Sequence, residues 1–168
     1  MLIANYYSNT DIRIEDRPVP QIKEGECLIK ILASGICGSD LMEWYRRDSV
    51  PLVLGHETAG EVIEVGNGVN HLNPGDRVVV SHHVPCLECR YCQRGHETMC
   101  KTLHSTTYDP GGFSQYVRLP EINTRLAGSS LMAKSIGAAL PARAAMGNPL
   151  AKAFPKVDKS GRTPLRPW

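Results

Sequence analysis

Apolar residues fall in short, dense stretches at four places in the chain: ECLIKILASGIC (26–37), GEVIEVG (60–66), RVVVS (77–81) and FSQYVRL (113–119). Each is rich in Val or Ile or in aromatic residues, and each is bounded by glycine or by a turn tetrad such as NPGD (73–76), so they predict β-strands joined by tight turns. Cys27, inside the first stretch, reads as a small core residue. One segment has a different period. SDLMEWYRR (39–47) places apolar residues at i, i+3 and i+4 behind Ser39 or Asp40 as N-cap, which predicts a short helix with Leu41, Trp44 and Tyr45 packed on the core. Further on, Leu131, Met132, Ile136 and Leu140 outline a modest amphipathic helix, broken by Pro141, Pro149 and Pro155.

The 168 residues are enough for one ordinary domain plus an appendage. With 42% hydrophobic and 21% charged residues the chain has globular composition and no apolar run long enough to span a membrane, and its first residues do not look like a secretory signal. A cytoplasmic location is the expectation. The net charge of +2 hides an asymmetry: residues 1–121 carry 11 Lys and Arg against 16 Asp and Glu, whereas residues 122–168 carry 8 against the single Asp158. Such a shift marks a change of module. The expected division is a folded unit over 1–124 and a basic, Ala-rich tail over 125–168, which is a linker, a deletion junction or a shuffled segment. The tail has no interleaved aromatic residues, so no nucleic-acid partner is expected, and no membrane partner either.

Four of the six cysteines lie within CLECRYCQRGHETMC: Cys86, Cys89, Cys92 and Cys100. In a reducing compartment, close-spaced thiols favour a metal over disulfides, and four thiolates meet the needs of a closed tetrahedral zinc site that stabilises a small lobe, here 84–104. The iron–sulfur alternative would favour a proline after the last cysteine, where Lys101 stands. His96, inside the loop, reads as a surface residue. A second, dispersed set pairs Cys37 in ASGICGSD with His56 in VLGHETAG, each beside glycine at the end of an apolar stretch. Open metal sites draw mixed ligands from loops in this way, although a lone Cys or His at a strand end is more often a packed or solvated residue. Asp40 can orient an imidazole, Ser39 can pass a proton and Glu57 offers a carboxylate oxygen.

The run GHETAGEVIEVGNGV (55–69) resembles the zinc signature of the medium-chain zinc-dependent alcohol and polyol dehydrogenases, with Gly55, His56, Glu57, Gly60, Gly66 and Val69 in place. CGSD (37–40), NPGDRVVV (73–80), the four cysteines and GGFSQYVRLP (111–120) follow in that family's order. The resemblance implies a mainly β fold, a GroES-like irregular barrel with a four-cysteine zinc lobe and a short helix. It further implies that Cys37 and His56 hold catalytic zinc, that Glu57 approaches or replaces a ligand, that Asp40 supports His56 and that Ser39 relays the alcohol proton. Cys86, Cys89, Cys92 and Cys100 would hold structural zinc. The implied chemistry is proton removal from an alcohol or polyol and hydride transfer to NAD(P).

The sequence also departs from that pattern. No GxGxxG dinucleotide fingerprint occurs, residues 122–157 contain no Asp, Glu, Cys or His to complete the catalytic ligand set, and Met42 stands near where several members end the proton relay with histidine. The expected function is therefore the catalytic-domain portion of a zinc alcohol or polyol dehydrogenase, inactive alone for want of a cofactor domain. The alternative is a non-enzymatic zinc-stabilised β domain acting in folding or assembly. Apolar surface left without a partner domain makes a homo-oligomer the expected partner state.

Overall fold

Alternating Val and Ile sort to one face once the chain is folded. The computed structural model describes residues 1–127; the tail helix expected from Leu131 to Leu140 lies outside the described residues. Seven strands, β1 (Leu2–Ser8), β2 (Asp11–Asp16), β3 (Cys27–Gly35), β4 (Leu52–Val53), β5 (Glu57–Val65), β6 (Arg77–Val80) and β7 (Tyr116–Leu119), are accompanied by three short helices. These are α1 (Glu43–Arg46), α2 (Lys101–Ser105) and α3 (Glu121–Ala127).

The strands make two sheets, ordered β2-β1-β4 and β6-β5-β3-β7, and every ladder is antiparallel. On β6, Val78 and Val80 are buried while Arg77 and Val79 are exposed, and on β7 Val117 and Leu119 are buried. These residues join Cys27, Ile29, Val62, Leu72, Tyr108 and Ala127 in the core. Two register shifts along the β3–β5 ladder bend and twist the pair, as bulges do.

Residues 112–115 join the two sheets. The N–H groups of Gly112 and Phe113 donate to the carbonyls of Gly55 and Leu54 (2.8 and 2.9 Å), while Ala4 N–H donates to Phe113 and Gln115 N–H to Leu2 (2.8 and 3.1 Å). Backbones approach so closely here that a Cβ on Gly112 would lie 2.8 Å from the Gly55 carbonyl oxygen. The expected strand at 113–119 is thus strand only from Tyr116, because its first residues serve as this stitch. NPGD turns as expected: Asn73 N–H donates to the Asp76 carboxylate (2.8 Å), Asp76 N–H to the Asn73 carbonyl (3.0 Å), and Gly75 takes a φ of +94°.

Two structures depart from the expectations above. The hairpin β1–β2, with Leu2 paired to Asp16 and Tyr6 to Ile12, was not among the expected strands. The helix expected over 39–47 is instead a 3-10 turn at Gly38–Leu41 followed by the single turn α1, and Leu41, Trp44 and Tyr45 are not in the core. They are 64%, 67% and 70% exposed. The inward position belongs to Arg46, because the buried carboxylate of Asp40 needs a cation more than the core needs another apolar side chain. Asp40 is also not an N-cap: it lies within the 3-10 turn and accepts back from the Cys37 N–H at 3.0 Å.

Cys27 is fully buried beside Thr124, and burial pushes its thiol up. Packing continues past residue 124, since α3 places Ala127 in the core. No helix among the described residues is long and apolar enough to cross a membrane.

Candidate metal centres

The Cys86 to Cys100 loop folds back on itself by local turns. Leu87 takes a left-handed φ of 62°, which turns the chain sharply after Cys86, and Gly95 closes the next turn at +74°. The ligand atoms of Cys86, Cys89, Cys92 and Cys100 lie within 4.8 Å of one another, and all four are free thiols, with Cys92 and Cys100 buried. Backbone amides aim at the sulfurs: Cys89 N–H donates to Cys86 Sγ (3.3 Å) and Cys86 N–H to Cys100 Sγ (3.5 Å). Such donors favour the thiolate: the backbone of Glu88 first and then that of Cys89 lower the Cys86 thiol, and the Cys86 backbone leads in bringing Cys100 down to about 6. Cys92 is pushed up to about 12 by desolvation and its sulfur neighbours, so a metal entering the cluster displaces its proton. Four converging thiols fit a soft or borderline cation such as zinc. His96 is exposed, as expected.

The second group forms where the two sheets meet. β3 and the 3-10 turn deliver Cys37 and Asp40, the crossing from β4 to β5 delivers His56, and β5 opens with Glu57. Ligand atoms of Cys37, His56 and Glu57 also lie within 4.8 Å of one another, with the first two half-buried and Glu57 exposed. A thiolate, an imidazole and a carboxylate are a donor set that fits zinc with a position left open. Asp40, 4% exposed, has Oδ1 at 3.4 Å from His56 Nδ1, and this leaves His56 Nε2 for a metal. Ser39 lies on the same turn; its carbonyl accepts from the Met42 N–H (3.2 Å).

A cleft of about 160 Å³ opens beside this group, lined by Asp40, Arg46, His56, His82 and Tyr108 and by the apolar run Leu52–Leu54. Of its polar lining, Arg46, His82 and Tyr108 were not singled out from the sequence. The His82 ring stands 4.8 Å from that of His56 and 3.8 Å from that of His83, and it is driven down to about 4, first by burial and then by those two imidazoles. Tyr108 is buried, its hydroxyl donating to the Gly55 carbonyl (3.3 Å) and bonding the Thr58 hydroxyl (3.2 Å). Arg46 reaches Asp40. Only the HH doublet before Cys86 could have drawn attention to His82, and doublets of this kind carry no ligand spacing of their own.

Residues 23–127 match the alcohol dehydrogenase GroES-like domain family. The chain belongs to that family, and with it to the zinc-dependent medium-chain dehydrogenases. It is 38% identical over 128 residues to a sorbitol dehydrogenase of Bacillus subtilis (strain 168), a match covering 71% of this chain and 36% of that protein. It is 44% identical over 115 residues to an L-threonine 3-dehydrogenase of Streptomyces avermitilis, covering 64% of this chain and 34% of the relative. Among solved structures, one described as a zinc-binding dehydrogenase of Sinorhizobium meliloti 1021 bound to NADP superimposes with a TM-score of 0.58 at 29% identity, covering 71% of this chain and 36% of that one. The chain thus spans about a third of the length of the curated relatives it matches.

Proposed function

We propose that residues 1–124 are the zinc-holding, substrate-binding unit of an alcohol or polyol oxidoreductase, with Cys37, His56 and Glu57 as the catalytic metal ligands and the 84–104 lobe as a structural zinc site. The observation that carries this reading is the convergence of a thiol, an imidazole and a carboxylate within 4.8 Å of one another, with the imidazole, His56, also lining a cleft. When bound there, zinc supplies Lewis acidity toward an alcohol oxygen. The chain's own residues do the rest. Asp40 fixes the His56 ring by its Nδ1 edge, Glu57 presents an exposed carboxylate able to enter or leave the ligand set, and Ser39 takes the alcohol proton. The apolar side of the cleft, Leu52–Leu54, holds the carbon skeleton of the substrate and excludes water.

Hydride transfer needs a nicotinamide held against the substrate carbon, and the dinucleotide fingerprint is not in these 168 residues. The 168-residue polypeptide is accordingly read as inactive by itself toward short alcohols and polyols with NAD or NADP. Metal-dependent turnover by the purified polypeptide would overturn that part of the reading. Zinc content tests the rest. Two zinc ions per chain are expected, one lost in Cys37→Ser or His56→Ala with the fold intact, the other lost in Cys89→Ser. A single zinc that survives Cys37→Ser would favour the second reading, a zinc-stabilised β domain without catalysis. That reading is supported by the four-cysteine cluster, which is built within one contiguous loop and does not depend on the cleft.

A further inference from the structure

Arg46 is the one cation facing Asp40 besides His56 among the described ion pairs, and it has no part in the chemistry outlined above. Its side chain is 12% exposed, and the guanidinium forks between two acceptors: Nη1 donates to the Ser39 carbonyl and Nη2 lies 3.8 Å from Asp40 Oδ1. Asp40 in turn faces two of the three metal-ligand candidates, Cys37 and His56. Its Oδ2 accepts the Cys37 N–H at 3.0 Å, and Oδ1 faces His56 Nδ1 at 3.4 Å. Oδ1 is buried and makes no hydrogen bond among the described residues, so the Arg46 guanidinium is the neighbour that compensates it. Without that guanidinium the carboxylate is free to turn away, which loosens the two residues it spans.

We infer that Arg46 is a positioning residue: by clamping Asp40 and the Ser39 carbonyl together, it sets the Cys37 backbone and the His56 ring in the orientation that receives the metal. The inference rests on the reading that Cys37, His56 and Glu57 take a metal ion. A fork that grips one carboxylate and one carbonyl suits arginine, and lysine keeps the charge but loses the fork. No sequence pattern signalled this role, since the helix expected over 39–47 was to pack its apolar residues inward.

Cobalt(II) titration of the metal-stripped 168-residue chain tests it, since the thiolate-rich lobe and the mixed Cys–His–Glu site have separable absorption. Arg46→Met is expected to weaken cobalt at the mixed site about tenfold and to shift its ligand-field bands, the usual scale for losing a partner of a metal-ligating histidine. The far-ultraviolet β signal serves as the measure of an intact fold, and the four-cysteine bands, as the internal reference for cobalt uptake, stay unchanged. Arg46→Lys is expected to recover part of the lost affinity. Unaltered affinity and bands at the mixed site in Arg46→Met would overturn the inference, and so would equal weakening at both sites, which would assign Arg46 to folding. Wild-type chain that takes up one cobalt equivalent, unaffected by Cys37→Ser, would instead overturn the reading of the mixed site on which the inference rests.

Discussion

His82 brings a pH dependence with a definite sign. Its ordinary value, 6.5, applies in the unfolded chain, whereas in the fold it stays neutral down to about 4. Between those values the unfolded state binds a proton that the native state refuses, so stability is complete above pH 6.5 and declines as the pH falls toward 4. Urea midpoints of metal-free protein across this range are expected to fall, and to fall less steeply in His82→Asn. Cys37, His56 and Glu57 were readable in the sequence because motif order constrains them. His82 was not, because its nearness to His56 is a product of pairing: β5 and β6 run side by side, Thr58 opposite Val80, and bring the residues beyond each end together. Arg46 was hidden for a related reason. Its partner is set by the 3-10 turn, and an apolar pattern is blind to a buried carboxylate looking for charge.

At the level of elements, one amide ties α3 to the loop that carries His82. Asn123 is buried and its Nδ2 donates to the carbonyls of Ser81 and His82, at 2.8 and 3.0 Å. Asn123→Ala removes the donor shared by these two carbonyls, and a loss of about 0.5–1.5 kcal/mol in equilibrium unfolding is expected, with the contact between α3 and the loop that carries His82 weakened. Strands dense in Val and Ile were legible because their inward faces are continuous, as Val78, Val80, Val117 and Leu119 show. The β1–β2 hairpin was not, since Ile12 and Ile14 stay 60% and 68% exposed and polar residues alternate with them. Its stability comes from the backbone ladder to β1 and from side-chain pairs such as Tyr7 with Glu15 (2.9 Å), neither of which leaves a hydrophobic signature.

Across the whole molecule, the cysteine lobe and the sheets rest on different forces. The sheets bury a shared apolar core, whereas between 84 and 104 the buried residues are Val84, Cys92 and Cys100, too few to fold that loop by burial alone. If zinc occupies the lobe, chelation is expected to open it to protease between 84 and 104 while the far-ultraviolet β signal persists. Loss of both together would show that the lobe supports the sheets.

The crossing at residues 54–56 has a mechanical meaning. β4 belongs to one sheet and β5 to the other, so His56 sits on a covalent bridge whose anchor, the Gly55 carbonyl, is gripped by Gly112 and Tyr108. A ligand placed on such a hinge feels any parting of the two sheets directly. A metal held as proposed by Cys37 and His56 would tie the end of β3 to this bridge, and its release would be a gauge of strain there before either sheet has melted.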